Sequence, residues 1–162
     1  MMKKRRSTFV LVIAGLAVCM IVLFAGGIAW FFTSALERSH LDAAAADVSI
    51  EQVRGKFRGT EPVMLMQEDR PVLARQPPTA PPERVLESLH MMGWDPDRQV
   101  LAHVTLPFWL VRMKPGNINL SASSAVPNVR VSLTVKELER YGPALVLDHT
   151  GDDGAHVLIW TE

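Results

Sequence analysis

Four histidines, at positions 90, 103, 149 and 156, fall in two pairs around turn-forming stretches. His90 and His103 flank Asp95-Pro96-Asp97-Arg98, the composition of a β-turn. If a hairpin closes on those four residues, with strands near 88–94 and 99–105, His90 stands directly opposite His103. His149 and His156 flank the loop TGDDGA and oppose each other in the same way. Cross-strand β-carbons lie about 4.5–5.5 Å apart, close enough for two imidazoles to share a zinc ion. Asp148, Asp152 and Asp153 add carboxylates nearby. The spacing marks His90, His103, His149 and His156 as candidate metal ligands and gives one function class, a metal-binding module or metal-dependent enzyme. Against it, aspartates favour turns for their own backbone bonds, and hairpin histidines are commonly solvated. Neither H-E-x-x-H nor C-x-x-C occurs, and DHTGDDG lacks the spacing of a calcium loop. No cofactor is expected.

A second candidate is the run LPFWLVRMKP. Phe108 and Trp109 with Arg112 and Lys114 combine apolar bulk and positive charge, as a segment resting on a lipid surface or on a protein partner does. The competing reading is that this run is core. Helix, begun by Pro107 and stopped by Pro115-Gly116, and strand suit it almost equally.

Nucleophilic catalysis has little to build on. No G-x-S-x-G elbow is present, and Ser121, Ser123 and Ser124 sit in a loop-like stretch. The single cysteine, Cys19, lies in an unbroken apolar run, and no glycine-rich phosphate loop appears. The sequence points away from an enzyme.

These candidates are positioned by a chain with a strongly asymmetric start. No residue from Ser7 to Leu36 is charged. Phe9 to Phe32 is almost wholly apolar and would span about 36 Å as a helix, more than the roughly 30 Å of a hydrocarbon core. The apolar run is too long for a cleaved signal and continues past Ala25-Gly26-Gly27. Val18 before Cys19 is the wrong neighbour for lipidation. Lys3, Lys4, Arg5 and Arg6 precede the run, and Trp30, Phe31 and Phe32 close it, which sets a signal anchor with its amino end in the cytoplasm. The expected organisation is a cytoplasmic basic segment (1–7), a transmembrane anchor (8–33), a juxtamembrane helical stalk (34–57) and an extracytoplasmic α+β domain (58–162). Ala14, Gly15, Ala17 and Cys19 leave small surface on the anchor, which permits homo-oligomers.

Of 17 cations in the chain, the four at the start leave 13 against 17 anions, a balance of −4 beyond the anchor. Such a domain gains nothing from a phosphate backbone, and nucleic acid is excluded as a partner.

Within the stalk, Ser49 and Gln52 match a capping box and Val48 and Val53 a staple, so a short helix is expected over 50–57. Residues 63–66 read as a strand, and the proline-rich stretch 75–84 as an extended surface connection. Thr134 and Glu137 form a second capping box, stapled by Leu133 and Leu138, which predicts a helix over Val135 to Tyr141 ending at Gly142-Pro143. Strands are expected at 144–148 and 156–160, with Gly154 at positive φ in the loop between them. The predicted fold is thus α+β: one amino-terminal transmembrane helix, then a small domain of antiparallel hairpins with one or two short helices. Trp94, Leu101, Leu138, Leu145, Leu147, Leu158 and Trp160 are its expected core.

The function expected from all this is a single-pass protein of the plasma (inner) membrane, its domain outside the cytoplasm. That domain is read as a non-enzymatic interaction or assembly module, with the lipid bilayer and a protein of the membrane or envelope as partners. The metal-binding reading is the alternative.

Overall fold

The computed structural model describes residues 36–67, 70–79, 82, 84–113, 117–119 and 132–162. The basic segment, the expected anchor with Cys19, Lys114 and the three clustered serines lie outside the described residues. Residues 36–162 form one compact unit, a small α+β domain of antiparallel hairpins with few helices. Its strands are β1 (Leu36–His40), β2 (Met64–Gln67), β3 (Arg70–Leu73), β4 (Ser88–Asp95), β5 (Val100–Pro107), β6 (Asn117–Asn119), β7 (Ser132–Thr134), β8 (Ala144–Thr150) and β9 (His156–Thr161). Its helices are α1 (Ala43–Lys56), α2 (Phe108–Arg112) and α3 (Val135–Tyr141).

Seven strands make one sheet in the order β1-β5-β4-β9-β8-β2-β3, and β6 pairs with β7 separately. Every neighbouring pair is antiparallel except β2 and β8, which meet in parallel at Met64 and Leu147.

Both faces of the sheet are covered. On one face α1 packs Ala46, Ile50 and Val53, one helical stripe, onto Met92, Trp94, Leu101, Leu145, Leu158 and Trp160. On the other, Phe108 and Val111 of α2 and Leu138 and Tyr141 of α3 meet Leu89, Met91, Val157 and Ile159. Double coverage explains why the central strands read as continuous apolar runs, such as ALVL and VLIW, rather than as alternation. All seven residues expected in the core are buried.

The helix α3 has the predicted bounds. Glu137 N donates to Thr134 Oγ1 at 3.2 Å, and Thr134 N donates back to Glu137 Oε2 at 2.7 Å, which closes the capping box. Gly142 ends the helix at φ 68°, a left-handed conformation that favours glycine, and an added β-carbon there would meet Pro82 Cβ at 2.7 Å. Gly154 takes φ 80° in the β8–β9 loop, as expected.

Two expectations are corrected. Residues 34–57 are not a helical stalk: Leu36–His40 is a strand that pairs with β5, and the helix after it starts at Ala43, not at Ile50. Asp42 is the cap, accepting from Ala45 N at 2.8 Å, and the alanines that follow are strong helix formers. Ser49 therefore lies inside the helix, where its hydroxyl donates to Ala45 O at 3.0 Å, and Val48 points outward at 70 % exposure instead of stapling. The expected β4–β5 closure is also displaced by one residue. Asp95 pairs with Val100, its side chain accepts from Arg98 N at 3.1 Å, and Gln99 takes φ 51° to complete the turn.

A bulge between Leu145 and Leu147 gives β8 one extra residue against β9. Val146 and Leu147 both join the cluster under α3, and Asp148 is delivered to the α1 face, opposite Leu158. There it receives Arg54 in a two-point pair, Nε to Oδ2 and NH2 to Oδ1, each at 2.7 Å. The pair ties α1 to the sheet and raises the Arg54 pKa further.

Candidate functional site

The displaced turn decides where the first two histidines go. With the register shifted by two, His90 pairs with Thr105 and His103 pairs with Met92, so the histidines are diagonal neighbours and not direct opposites. They still share a face, the one covered by α1, because a shift of two preserves the side-chain alternation. Across β9, Trp160 stands directly opposite His90.

Three rings therefore stack on three adjacent strands. His90 lies 4.9 Å from Trp160 at an interplanar angle of 5°, and His103 lies 5.4 Å from the same indole at 21°. The two imidazoles meet edge to edge, with His90 Nδ1 3.3 Å from His103 Nε2. Hydroxyls fill in around them: Ser88 Oγ is 2.7 Å from His90 Nε2, and Thr105 Oγ1 is 3.1 Å from His90 Nδ1. Glu162 closes the end of the stack. Its Oε1 accepts from Lys56 Nζ of α1 at 2.7 Å and from Trp160 Nε1 at 3.2 Å, and its Oε2 is 3.7 Å from His90 Nε2.

Burial lowers the pKa of both imidazoles, against the partial opposition of Glu162 at His90 and of Glu37 at His103. At neutral pH both rings are uncharged, and each offers one N–H and one lone pair. The hydrogen bond from Lys56 lowers the Glu162 pKa, so this carboxylate stays ionised.

The Ser88–His90 contact has the length of a nucleophile–base pair, but its surroundings differ from a hydrolytic triad. The carboxylate of Glu162 lies on the same ring nitrogen as the serine, and the other nitrogen faces Thr105 and His103. Among the described residues no acid orients the imidazole from behind, as triad chemistry requires.

The second histidine pair does not converge. His149 pairs with Val157 and His156 with Thr150, one residue away from the expected register, so the two rings fall on opposite faces of the sheet. His156 Nδ1 instead meets Thr150 Oγ1 at 3.1 Å. Of the nearby carboxylates, Asp148 belongs to Arg54 and Asp153 accepts from Ala155 N at 3.0 Å. Among the described residues no three of His, Cys, Asp and Glu converge as a metal centre.

The run after Pro107 divides by exposure. Phe108 is wholly buried under the sheet, so as a surface-contact candidate it is corrected to core. Trp109, one residue on, is 58 % exposed. Arg112 lies over the Phe108 ring at 5.3 Å and pairs with Glu139 of α3 at 2.6 Å. Beside these residues lies a groove of about 460 Å³. Pro82, Val85 and Leu86 give it an apolar floor, and Arg84, Arg112, Lys136 and Arg140 surround it with positive charge.

Sequence reasoning missed Ser88, Thr105, Lys56 and Glu162 around the histidines, and Arg84, Lys136 and Arg140 around the groove. Ser88 was within reach of it, since Ser88, His90 and Met92 share a face on any strand through this stretch. The groove cations come from a loop (Arg84), α2 (Arg112) and α3 (Lys136 and Arg140), and the sequence joins only the last two, one helical turn apart. No protein-family model matches this chain, and no curated protein or solved structure matches it either.

Proposed function

We propose that the chain is a single-pass protein of the plasma (inner) membrane, held by residues 8–33, with its amino end in the cytoplasm and its α+β domain outside. In this reading the domain is a non-enzymatic docking module for a protein of the membrane or envelope. The anchor rests on the uncharged stretch from Ser7 to Leu36 and the KKRR cluster before it. The docking role rests on one observation, the groove beside α2 and α3. Val85 in it is 73 % exposed and Trp109 near it 58 %, on a domain that buries its other tryptophans at 94 and 160. Large apolar side chains left in water beside a concave surface are the usual mark of a contact site.

The test uses the full chain in its own membrane. Protease added to spheroplasts should remove residues beyond the anchor, and protection of the domain in intact spheroplasts would overturn the topology. A photo-crosslinking residue at position 85 or 109 should give one discrete protein adduct, and the same residue at exposed Glu61 should not. Identical adducts from all three positions, or none, would overturn the docking role.

A second reading, metal binding, is favoured by one distance. Two nitrogens bound tetrahedrally at about 2.05 Å lie about 3.3 Å apart, and His90 Nδ1 and His103 Nε2 are separated by 3.3 Å. Glu37 pairs directly with His103 on β1 and would be a source of a third donor. Equilibrium dialysis of the full chain against zinc distinguishes this reading: one equivalent bound, and lost in His90→Ala and His103→Ala, supports it. Zinc uptake unchanged in both variants, or none, removes it.

A further inference from the structure

The charge around the groove runs against the charge of the domain that carries it. Beyond the anchor the chain has 13 cations and 17 anions. Among the described residues the groove nevertheless gathers four cations and one acid, and that acid, Glu139, is already held by Arg112 at 2.6 Å. Arg84, Lys136 and Arg140 remain around an apolar floor. A local excess of one sign over low-dielectric walls concentrates the field on whatever enters.

We propose that the groove binds an acidic peptide segment of a partner protein, one large apolar side chain seated on Val85 and Leu86 and carboxylates on Arg84, Lys136 and Arg140. The proposal rests on the docking reading above and names the chemistry of its partner. Lys136 and Arg140 are four apart on α3, so their side chains rise side by side about 6 Å apart. Carboxylates on one side of an extended peptide, two residues apart, repeat at about 6.6 Å and match that spacing. A groove of about 460 Å³ lies in the range of roughly 300–1,000 Å³ typical of ligand pockets. It is concave, which suits a side chain with its backbone and not the flat face of a bilayer.

The experiment places the full chain in nanodiscs of neutral phosphatidylcholine. The probe is a fluorescein-labelled ten-residue peptide with glutamates at alternate positions around one phenylalanine. Binding is read by anisotropy. The expected result is saturable binding that weakens at least tenfold when the glutamates become glutamines, when the phenylalanine becomes alanine, or in the variant Arg84→Glu/Lys136→Glu/Arg140→Glu. Arg58→Glu, a charge reversal elsewhere on the surface, should leave it unchanged. Circular dichroism confirms that the triple variant is folded, and Val85→Asp supplies an independent loss if it is not. Binding equal for the glutamine peptide, or equal in the triple variant and Val85→Asp, overturns the proposal. So does a blue shift of Trp109 fluorescence on adding phosphatidylglycerol to the discs, with no peptide binding, since the surface then reads lipid. Position-specific crosslinks at 85 and 109 that persist without peptide binding keep the docking role and reject the acidic partner. Loss of both rejects the docking role itself.

Discussion

Acidification should destabilise this domain through His90 and His103 before Glu137 or Glu162 responds. Both rings sit against Trp160, and burial holds both pKa values below the ordinary 6.5. The unfolded chain therefore binds more protons than the fold, and stability rises with pH. The loss begins as pH falls through about 6.5, where the unfolded histidines charge, and levels off once the folded rings are protonated too. From pH 7 to 5.5 the loss has an upper limit of about 1.3 kcal/mol per ring, reached only by a ring that stays neutral throughout, against a typical domain stability of about 5–15 kcal/mol. The neighbouring His103 adds to the burial that disfavours charging of His90. Glu162 and Glu137, whose pKa values are lowered, respond only below the ordinary carboxylate range, outside this window. The assay is urea unfolding of the full chain in non-ionic detergent, followed by tryptophan fluorescence at half-unit steps of pH. The variant His90→Gln/His103→Gln should lose measurably less stability than the native chain over the same interval. Parallel curves for the two proteins would refute the reasoning, as would a native chain that gains stability in acid.

Three further outcomes follow from the packing. Phe108→Ala should cost about 3–5 kcal/mol in urea unfolding, because it empties a wholly buried site. Trp109→Ala next to it should change stability by less than about 0.5 kcal/mol and still abolish the docking-site crosslinks. Arg54→Met should cost about 1–3 kcal/mol by leaving Asp148 without its partner, and Arg54→Met/Asp148→Leu should recover part of that loss. Gly142→Ala should lower the midpoint of thermal unfolding by several degrees, through the strained φ and the contact with Pro82 together, whereas Gly55→Ala, with open space around it, should not.

Local signals and the choice of hairpin partners carried to the structure, and register did not. The Thr134–Glu137 box and Gly142 lie within one turn of the helix they delimit, and α3 has the expected bounds. The expected core residues are all buried, since apolar runs long enough to be covered on both faces are visible in one dimension. Hairpin registers depend on which residue of a turn takes positive φ, and Gln99 is no glycine to announce it. That single residue moved His103 from His90 to Met92, and a one-residue slip in the other loop separated His149 from His156. The start of α1 was misplaced because two cap signals, Asp42 and Ser49, lie seven residues apart, and only packing of Ala46 on the sheet chooses between them. The positive groove was invisible because its cations are separated along the chain, in a stretch beyond the anchor whose 13 cations are outnumbered by 17 anions.

The sheet order also governs when this domain can fold. β9, the ninth strand in the chain, takes the fourth of seven places, and β4 and β8 join only through it. During synthesis the halves β1-β5-β4 and β8-β2-β3 cannot pair into one sheet until residues 156–161 emerge. A chaperone or translocation channel that holds back those six residues holds back closure of the whole sheet.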